Sequence, residues 1–215
     1  CQREFFMGYI TKYGSFWGAL PETSGRVFWV APAASYTVEG RTYGASDDND
    51  GLSPERALLT LNRAFDAGFV TANVGDVVVL LPGAHSYAAT QTIDIAGVTI
   101  TGIPREARLH GSRKNSGSSR LGTSVTNSGT ALATLTVTAA DVEIAYLHFI
   151  ATAAGSGVSA SNAADRLYLH DCTFNMTTAT DTATFGVTFP LGTGTTTLND
   201  DSTVRNCYFY VSDNQ

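Results

Sequence analysis

From Val77 onward the apolar residues fall into a short strand-like motif that recurs down the chain. Val77-Val78-Val79-Leu80-Leu81 is a continuous apolar run stopped by Pro82-Gly83, the pattern of a buried strand followed by a turn. The triplet Val98, Ile100, Ile103 is then matched by Val142, Ile144, Leu147, by Leu167, Leu169, Cys172, and by Ser202, Val204, Cys207. The last three copies extend into Leu147-His148-Phe149, Cys172-Thr173-Phe174 and Cys207-Tyr208-Phe209, at intervals of 25 residues (147 to 172) and 35 residues (172 to 207). A constant motif with elastic spacing predicts a solenoid with loops of variable length. Strand side chains alternate, so the first and third residues of each copy point inward and the middle one outward. Copies stacked at about 4.8 Å would then form one apolar interior. Tyr146, Asp171 and Asn206 fall at the bend between the two strands of each copy, where Asp and Asn tolerate turn dihedrals. The outer face carries Glu143, Tyr168 and Thr203, then His148, Thr173 and Tyr208.

The N-terminal third reads differently. Residues 1–26 form an aromatic-rich arm with no helical period, and residues 27–215 form the strand-rich domain. The aromatics of the arm either pack on the body of the fold or on a partner chain. Val27-Phe28-Trp29-Val30 is predicted as a strand stopped by Ala31-Pro32. An α-helix is predicted from Ser53 to about Ala67: Ser53 as N-cap, Pro54 at the first position, Glu55 at the positive dipole end, Gly68 as the stop. Its face of Leu58, Leu61, Ala64 and Phe65 is expected to cap the open N-terminal end of the interior.

Composition narrows the function classes. Charged residues make up only 15% and the formal net charge is −6, which argues against nucleic acid as a partner. Lys12 and Lys114 are the only lysines, and no apolar run approaches the roughly 18 residues of a membrane span. Cys172 and Cys207 occupy equivalent inward positions and read as small core residues; stacked in adjacent copies they would come close, with a disulfide as the alternative. Cys1 raises a lipoprotein anchored through that residue, whereas Met7-Gly8-Tyr9-Ile10 looks like an ordinary translation start.

The stretch from Val27 to Ile103 resembles the N-terminal part of right-handed parallel β-helix proteins of the pectate-lyase-like group. The resemblance lies in an order of elements: the strand Val27–Val30, the loop Asp47 to Gly51, Ser53-Pro54 through Phe65, Gly75-Asp76, Val77 to Leu81, and Pro82-Gly83. With the repeats it covers about four-fifths of the chain. It implies an all-β, right-handed parallel β-helix with an N-terminal capping α-helix. The group contains polysaccharide lyases and hydrolases as well as tail spikes and fibres of bacterial viruses, so fold does not assign function. The aromatic start and scarce lysine resemble a virion protein most.

The resulting expectation is a structural or host-surface-contacting component of a virion or other extracellular assembly, with other protein subunits as partners and polysaccharide as a ligand. No cofactor is called for. The carbohydrate-contact candidates are Tyr168, Tyr208 and His148. A basic loop carries Arg105, Arg108, Arg113, Lys114 and Arg120, facing an acidic partner or simply projecting from one coil. Asp47, Asn49 and Asp50 are weak metal candidates that lack the EF-hand register. The four histidines, His85, His110, His148 and His170, read as exposed surface residues. A lyase or hydrolase is the alternative, and Asp171 beside Glu143 is a conceivable carboxyl pair, though the corner role explains Asp171 better. Glu143, Asp165, Asp181 and Asp171 share no repeat position, nor do Arg166 and Arg205, so no catalytic set is assigned. The last copy runs through Phe209-Tyr210-Val211 to Gln215 without a cap, so the domain is expected to be incomplete at that end or covered by another subunit.

Overall fold

A computed structural model describes residues 25–38, 40–103, 122–127, 133–151, 155–176, 186–189 and 201–210. The aromatic arm up to Trp17, the basic loop from Arg105 to Arg120, His110, Asp181 and the residues after Tyr210 lie outside the described residues.

The described chain is all-β, with its strands in parallel sheets and almost no helix. A six-stranded sheet contains β1 (Val27–Val30), β4 (Val77–Leu80), β7 (Thr99–Thr101), β10 (Glu143–Ala145), β13 (Tyr168–His170) and β16 (Thr203–Arg205), in that order. A five-stranded sheet contains β5 (Gly83–Tyr87), β8 (Thr123–Asn127), β11 (His148–Ala151), β14 (Thr173–Met176) and β17 (Tyr208–Tyr210). A four-stranded sheet contains β6 (Gln91–Ile93), β9 (Leu135–Val137), β12 (Val158–Ala160) and β15 (Val187–Thr188). Within these three sheets hydrogen-bonded neighbours lie three strands apart in the chain, so from β4 onward the chain visits the sheets in rotation. The antiparallel hairpin of β2 (Ser35–Val38) and β3 (Arg41–Gly44) stands apart from them.

The repeat motif is realised as register. Phe28, Val78, Ile100, Ile144, Leu169 and Val204 form one column across the six-stranded sheet, and the first five are buried in the main core. Val125, Phe149, Phe174 and Phe209 form another across the five-stranded sheet. Its phenyl rings stack at 4.8 Å (Phe149–Phe174) and 4.7 Å (Phe174–Phe209), nearly parallel, because the spacing of the strands becomes the spacing of the rings. Two columns of left-handed backbone make the corners. Tyr146, Asp171 and Asn206 turn the chain between the first two sheets with φ of 56°, 52° and 51°. Asp141, Arg166 and Asp201 stand two residues before a strand of the six-stranded sheet with φ of 57°, 55° and 60°. Gly97 fills that second corner one circuit earlier, where a Cβ would lie 2.8 Å from the Asn73 Cα.

A second, smaller core lies on the outer face of the six-stranded sheet. Trp29, Val77 and Val79 point outward from β1 and β4, and Tyr36, Val38, Tyr43 and Ala45 pack against them. The Tyr36 hydroxyl donates to the Pro54 carbonyl and accepts from the Ala57 amide at 3.3 Å. Asp76, fully buried, accepts from the amides of Arg26 at 2.6 Å and Thr71 at 2.8 Å, which accounts for the carboxylate in the Gly-Asp pair.

Three expectations are corrected. The helix from Ser53 to Ala67 is broken into a 3-10 turn at Pro54–Arg56 and a single α-helical turn, α1, at Leu61–Ala64. Between them Leu58 is extended: its amide donates to Trp29 at 2.8 Å and its carbonyl accepts from Ala31 at 2.9 Å. The Asp47 carboxylate takes the amides of Leu59 and Thr60, at 3.0 and 2.9 Å, so bonds to the sheet and loop displace the helical ones. Ser53 makes no side-chain cap; Thr60 caps α1 instead. The apolar face survives, since Leu58, Leu61 and Ala64 are fully buried and Phe65 packs partly buried against the core. Secondly, Ile103 belongs to the smaller core, and the fully buried Thr123 takes the place matched to Leu147. Thirdly, His85 is a core residue, bonded through Nε2 to the Leu81 carbonyl at 2.8 Å and through Nδ1 to the Tyr87 hydroxyl at 3.3 Å.

Two stability measurements follow from this packing. Leu61→Ala should cost about 2–5 kcal/mol in urea unfolding and Phe65→Ala less, because only Leu61 is completely enclosed. Burial pushes the His85 ring down to about 4 from its ordinary 6.5, so the unfolded chain binds the extra proton between those values. Stability should therefore fall as pH drops from 6.5 toward 4, by on the order of 3 kcal/mol at most. His85→Gln should flatten that slope.

Candidate functional site

The outer face of the six-stranded sheet changes character along its length. Over β1 and β4 it is apolar and covered; over β10, β13 and β16 the outward positions are Glu143, Ala145, Tyr168, His170, Thr203 and Arg205. Register sets Tyr168 beside Glu143 and His170 beside Ala145. Ala145 leaves room next to the imidazole, and the ring reaches diagonally across to Glu143. The Nε2 of His170 lies 2.8 Å from Glu143 Oε1, and its Nδ1 lies 2.8 Å from Asp171 Oδ2.

Asp171 is the next residue in the chain, and a side chain one position on from His170 in a strand would point inward. Its left-handed corner, φ 52°, redirects it to the same side. Tyr168 stacks on the His170 ring at 4.4 Å between centroids, and Tyr146, from the matching corner one circuit earlier, meets it edge-on at 5.8 Å. The second oxygen of Glu143 accepts from the Thr99 hydroxyl at 3.1 Å.

The geometry defines a charge state. A neutral imidazole has one N–H, so two carboxylates can both accept from it only when the ring is an imidazolium. Burial opposes that charge, but the hydrogen bonds accepted by Asp171 and Glu143 outweigh it and hold the His170 ring above its ordinary value. Tyr146 is pushed up by burial and then by the charges of Asp171 and Glu143. The His170 side chain is only 12% exposed while Glu143 and Asp171 keep about a third of theirs, 34% and 35%. The carboxylates therefore remain open to hydroxyl donors over a fixed ring. Both imidazole nitrogens are already committed to them, and among the described residues no cluster of His, Cys, Asp or Glu is arranged to hold a metal ion.

The other sequence candidates are dispersed. Tyr208 is 64% exposed, but it lies on the five-stranded sheet, on the far side of the Asn206 corner from the Glu143–His170 cluster. His148 is a correction: it is 1% exposed, with Nδ1 2.5 Å from the Thr173 hydroxyl, and burial lowers its affinity for a proton. Pointing away from the main core has not placed it in water, so it is not the exposed histidine expected. Asp47, Asn49 and Asp50 are used structurally. Asp47 bonds the segment before α1, Asn49 reaches the Ala57 carbonyl at 2.9 Å, and Asp50 pairs with Arg56 at 3.2 Å. Arg166 forms a two-pronged ion pair with Asp141 of the preceding circuit, at 2.6 and 2.5 Å.

The sequence made Asp171 beside Glu143 conceivable as a carboxyl pair, but their grouping with Tyr146 and His170 went unseen. The repeat alignment already set Glu143 opposite Tyr168, and His170 shares the face of Tyr168 two residues on. The lateral reach over Ala145 and the turn of Asp171 carry no signal in a one-dimensional pattern. No family model, curated protein or solved structure matches the chain.

The cluster titrates in a stated direction. Because the folded ring binds its proton more tightly than the unfolded one, its contribution to stability is complete below about 6.5 and is lost as pH rises through the higher folded value. In a nitrogen-15 NMR titration, His170 should stay doubly protonated beyond the ordinary histidine midpoint, and Glu143→Gln should bring its midpoint down.

Proposed function

We propose that the chain is a right-handed parallel β-helix of the pectate-lyase-like type, serving as a structural, host-surface-contacting component of a virion or other extracellular assembly. It contacts polysaccharide through the outer face around Tyr168. Three parallel sheets visited in rotation support the architecture, and the order of elements from Val27 to Ile103 supports the group. The observation that carries the contact is the rigid cluster of Tyr168, His170, Glu143 and Asp171. An aromatic ring held by strand backbone offers a stacking platform for a sugar, and part-exposed carboxylates beside it accept hydroxyl hydrogen bonds. Such a surface needs no moving part, which suits a stiff appendage that binds along its side.

A second reading is favoured by one feature: two carboxyl groups flank a single imidazole, the residue types of a glycoside hydrolase. Binding and cleavage separate cleanly in one set of measurements on capsular and lipopolysaccharide glycans. Tyr168→Ala should weaken glycan binding roughly tenfold, about 1.4 kcal/mol, while Tyr208→Ala on the other sheet changes it little. Failure of the unsubstituted chain to hold any surface glycan would remove the contact proposal. Release of reducing ends that Glu143→Gln abolishes would establish the hydrolase instead.

A further inference from the structure

The inward column next to the phenylalanine stack runs from Thr123 and Leu147 to two cysteines. Thr173 pairs in register with Tyr208, and the Tyr208 amide donates to the Cys172 carbonyl at 2.9 Å. The residues just before each strand, Cys172 and Cys207, are therefore neighbours on successive circuits. Their sulfurs make matching contacts. Cys172 Sγ meets the carbonyls of His170 at 3.2 Å and Ile144 at 3.9 Å. Cys207 Sγ meets those of Arg205 at 3.3 Å and Leu169 at 3.8 Å. Ile144 and Leu169 are themselves register partners, so the two side chains point the same way one circuit apart. Parallel neighbours stand about 4.8 Å apart, inside the roughly 4.4–6.8 Å between Cα atoms that a disulfide spans.

The two sulfurs differ in access and in acidity. Cys172 is buried, and burial raises its thiol; Cys207 is half-buried, and the neighbouring Cys172 side chain lowers its thiol. That division is the one expected of an attacking and a resolving cysteine.

We propose that Cys172 and Cys207 are a dithiol site that reacts with a small-molecule disulfide of the glutathione class and closes a covalent link between the circuits of β14 and β17. The Cys207 thiolate attacks one sulfur of that disulfide, breaks its S–S bond and expels one thiolate. Cys172 then gives up its proton to the expelled thiolate and attacks Cys207 Sγ, expelling the second. The protein pair is oxidised to a disulfide and the small disulfide is reduced to two thiols. This goes beyond the polysaccharide reading and does not depend on it. Its consequence falls on β16 and β17, where Val204 is 40% and Phe209 48% exposed.

The test treats the full chain with oxidised glutathione, traps remaining thiols by alkylation and maps tryptic peptides, which keeps Cys1 separate. The expected product joins the Cys172 peptide to the Cys207 peptide. In Cys172→Ser, Cys207 should stop as a glutathione mixed disulfide; in Cys207→Ser, Cys172 should stay unreacted while the chain is folded. Amide exchange across 201–210 should slow on the order of tenfold once the link closes. Absence of the joined peptide from the unsubstituted chain overturns the proposal, whatever the variants do. Modification of Cys172 in Cys207→Ser as fast as Cys207 reacts in Cys172→Ser overturns the assigned roles.

Discussion

In-register stacking of parallel strands is the constraint on which the rest depends. A strand that slipped by one residue would turn every inward side chain outward. The columns from Phe28 to Leu169 and from Val125 to Phe174 would then break into alternating buried and exposed positions. Register is held at both ends of the short strands by left-handed corners, which repeat at the same place in successive circuits. Asp and Asn supply most of these corners at little cost, and Arg166 is tied to Asp141 of the circuit before it. The same constraint carries the aromatic ladder, the cysteine pair and the Glu143–His170 contact.

The outer face of the six-stranded sheet is divided by what covers it. The β2–β3 hairpin and the segment around Ala57 bury Trp29, Val77 and Val79, and these circuits need apolar residues on both faces. Farther along, the outward column turns to Glu143, Tyr168 and Thr203. The candidate site therefore begins where the hairpin's cover ends, on the same strands and in the same register. A rigid, doubly packed base on one side and bare strands on the other is a sound arrangement for holding side chains in fixed positions.

Buried and half-buried titratable groups are handled in three ways. Asp76 keeps its place through backbone amides and Arg26. His85 is held neutral by burial and bonded to a carbonyl. His170, by contrast, is held above its ordinary value, because both of its nitrogens face carboxylates. Only the last lies on the open face of the sheet, and the charge that burial would remove is retained by geometry.

Periodicity alone determined a good part of this protein. The strand at Val27–Val30, the strand at Val77, the inward triplets apart from Ile103, and the turn residues Tyr146, Asp171 and Asn206 were legible, because alternation and corner chemistry are local properties of the chain. The helical spacing of Leu58, Leu61 and Ala64 correctly named buried residues but not their conformation, since hydrogen bonds from β1 and Asp47 override local preference. Tertiary structure alone decided the site. Whether His170 meets Glu143 depends on the small Ala145 beside it, on a register summed over a 25-residue circuit (145 to 170), and on a backbone angle at Asp171. Likewise the seclusion of His148 and His85 comes from what packs against them across circuits, and contacts between circuits leave no mark on the periodicity of either strand.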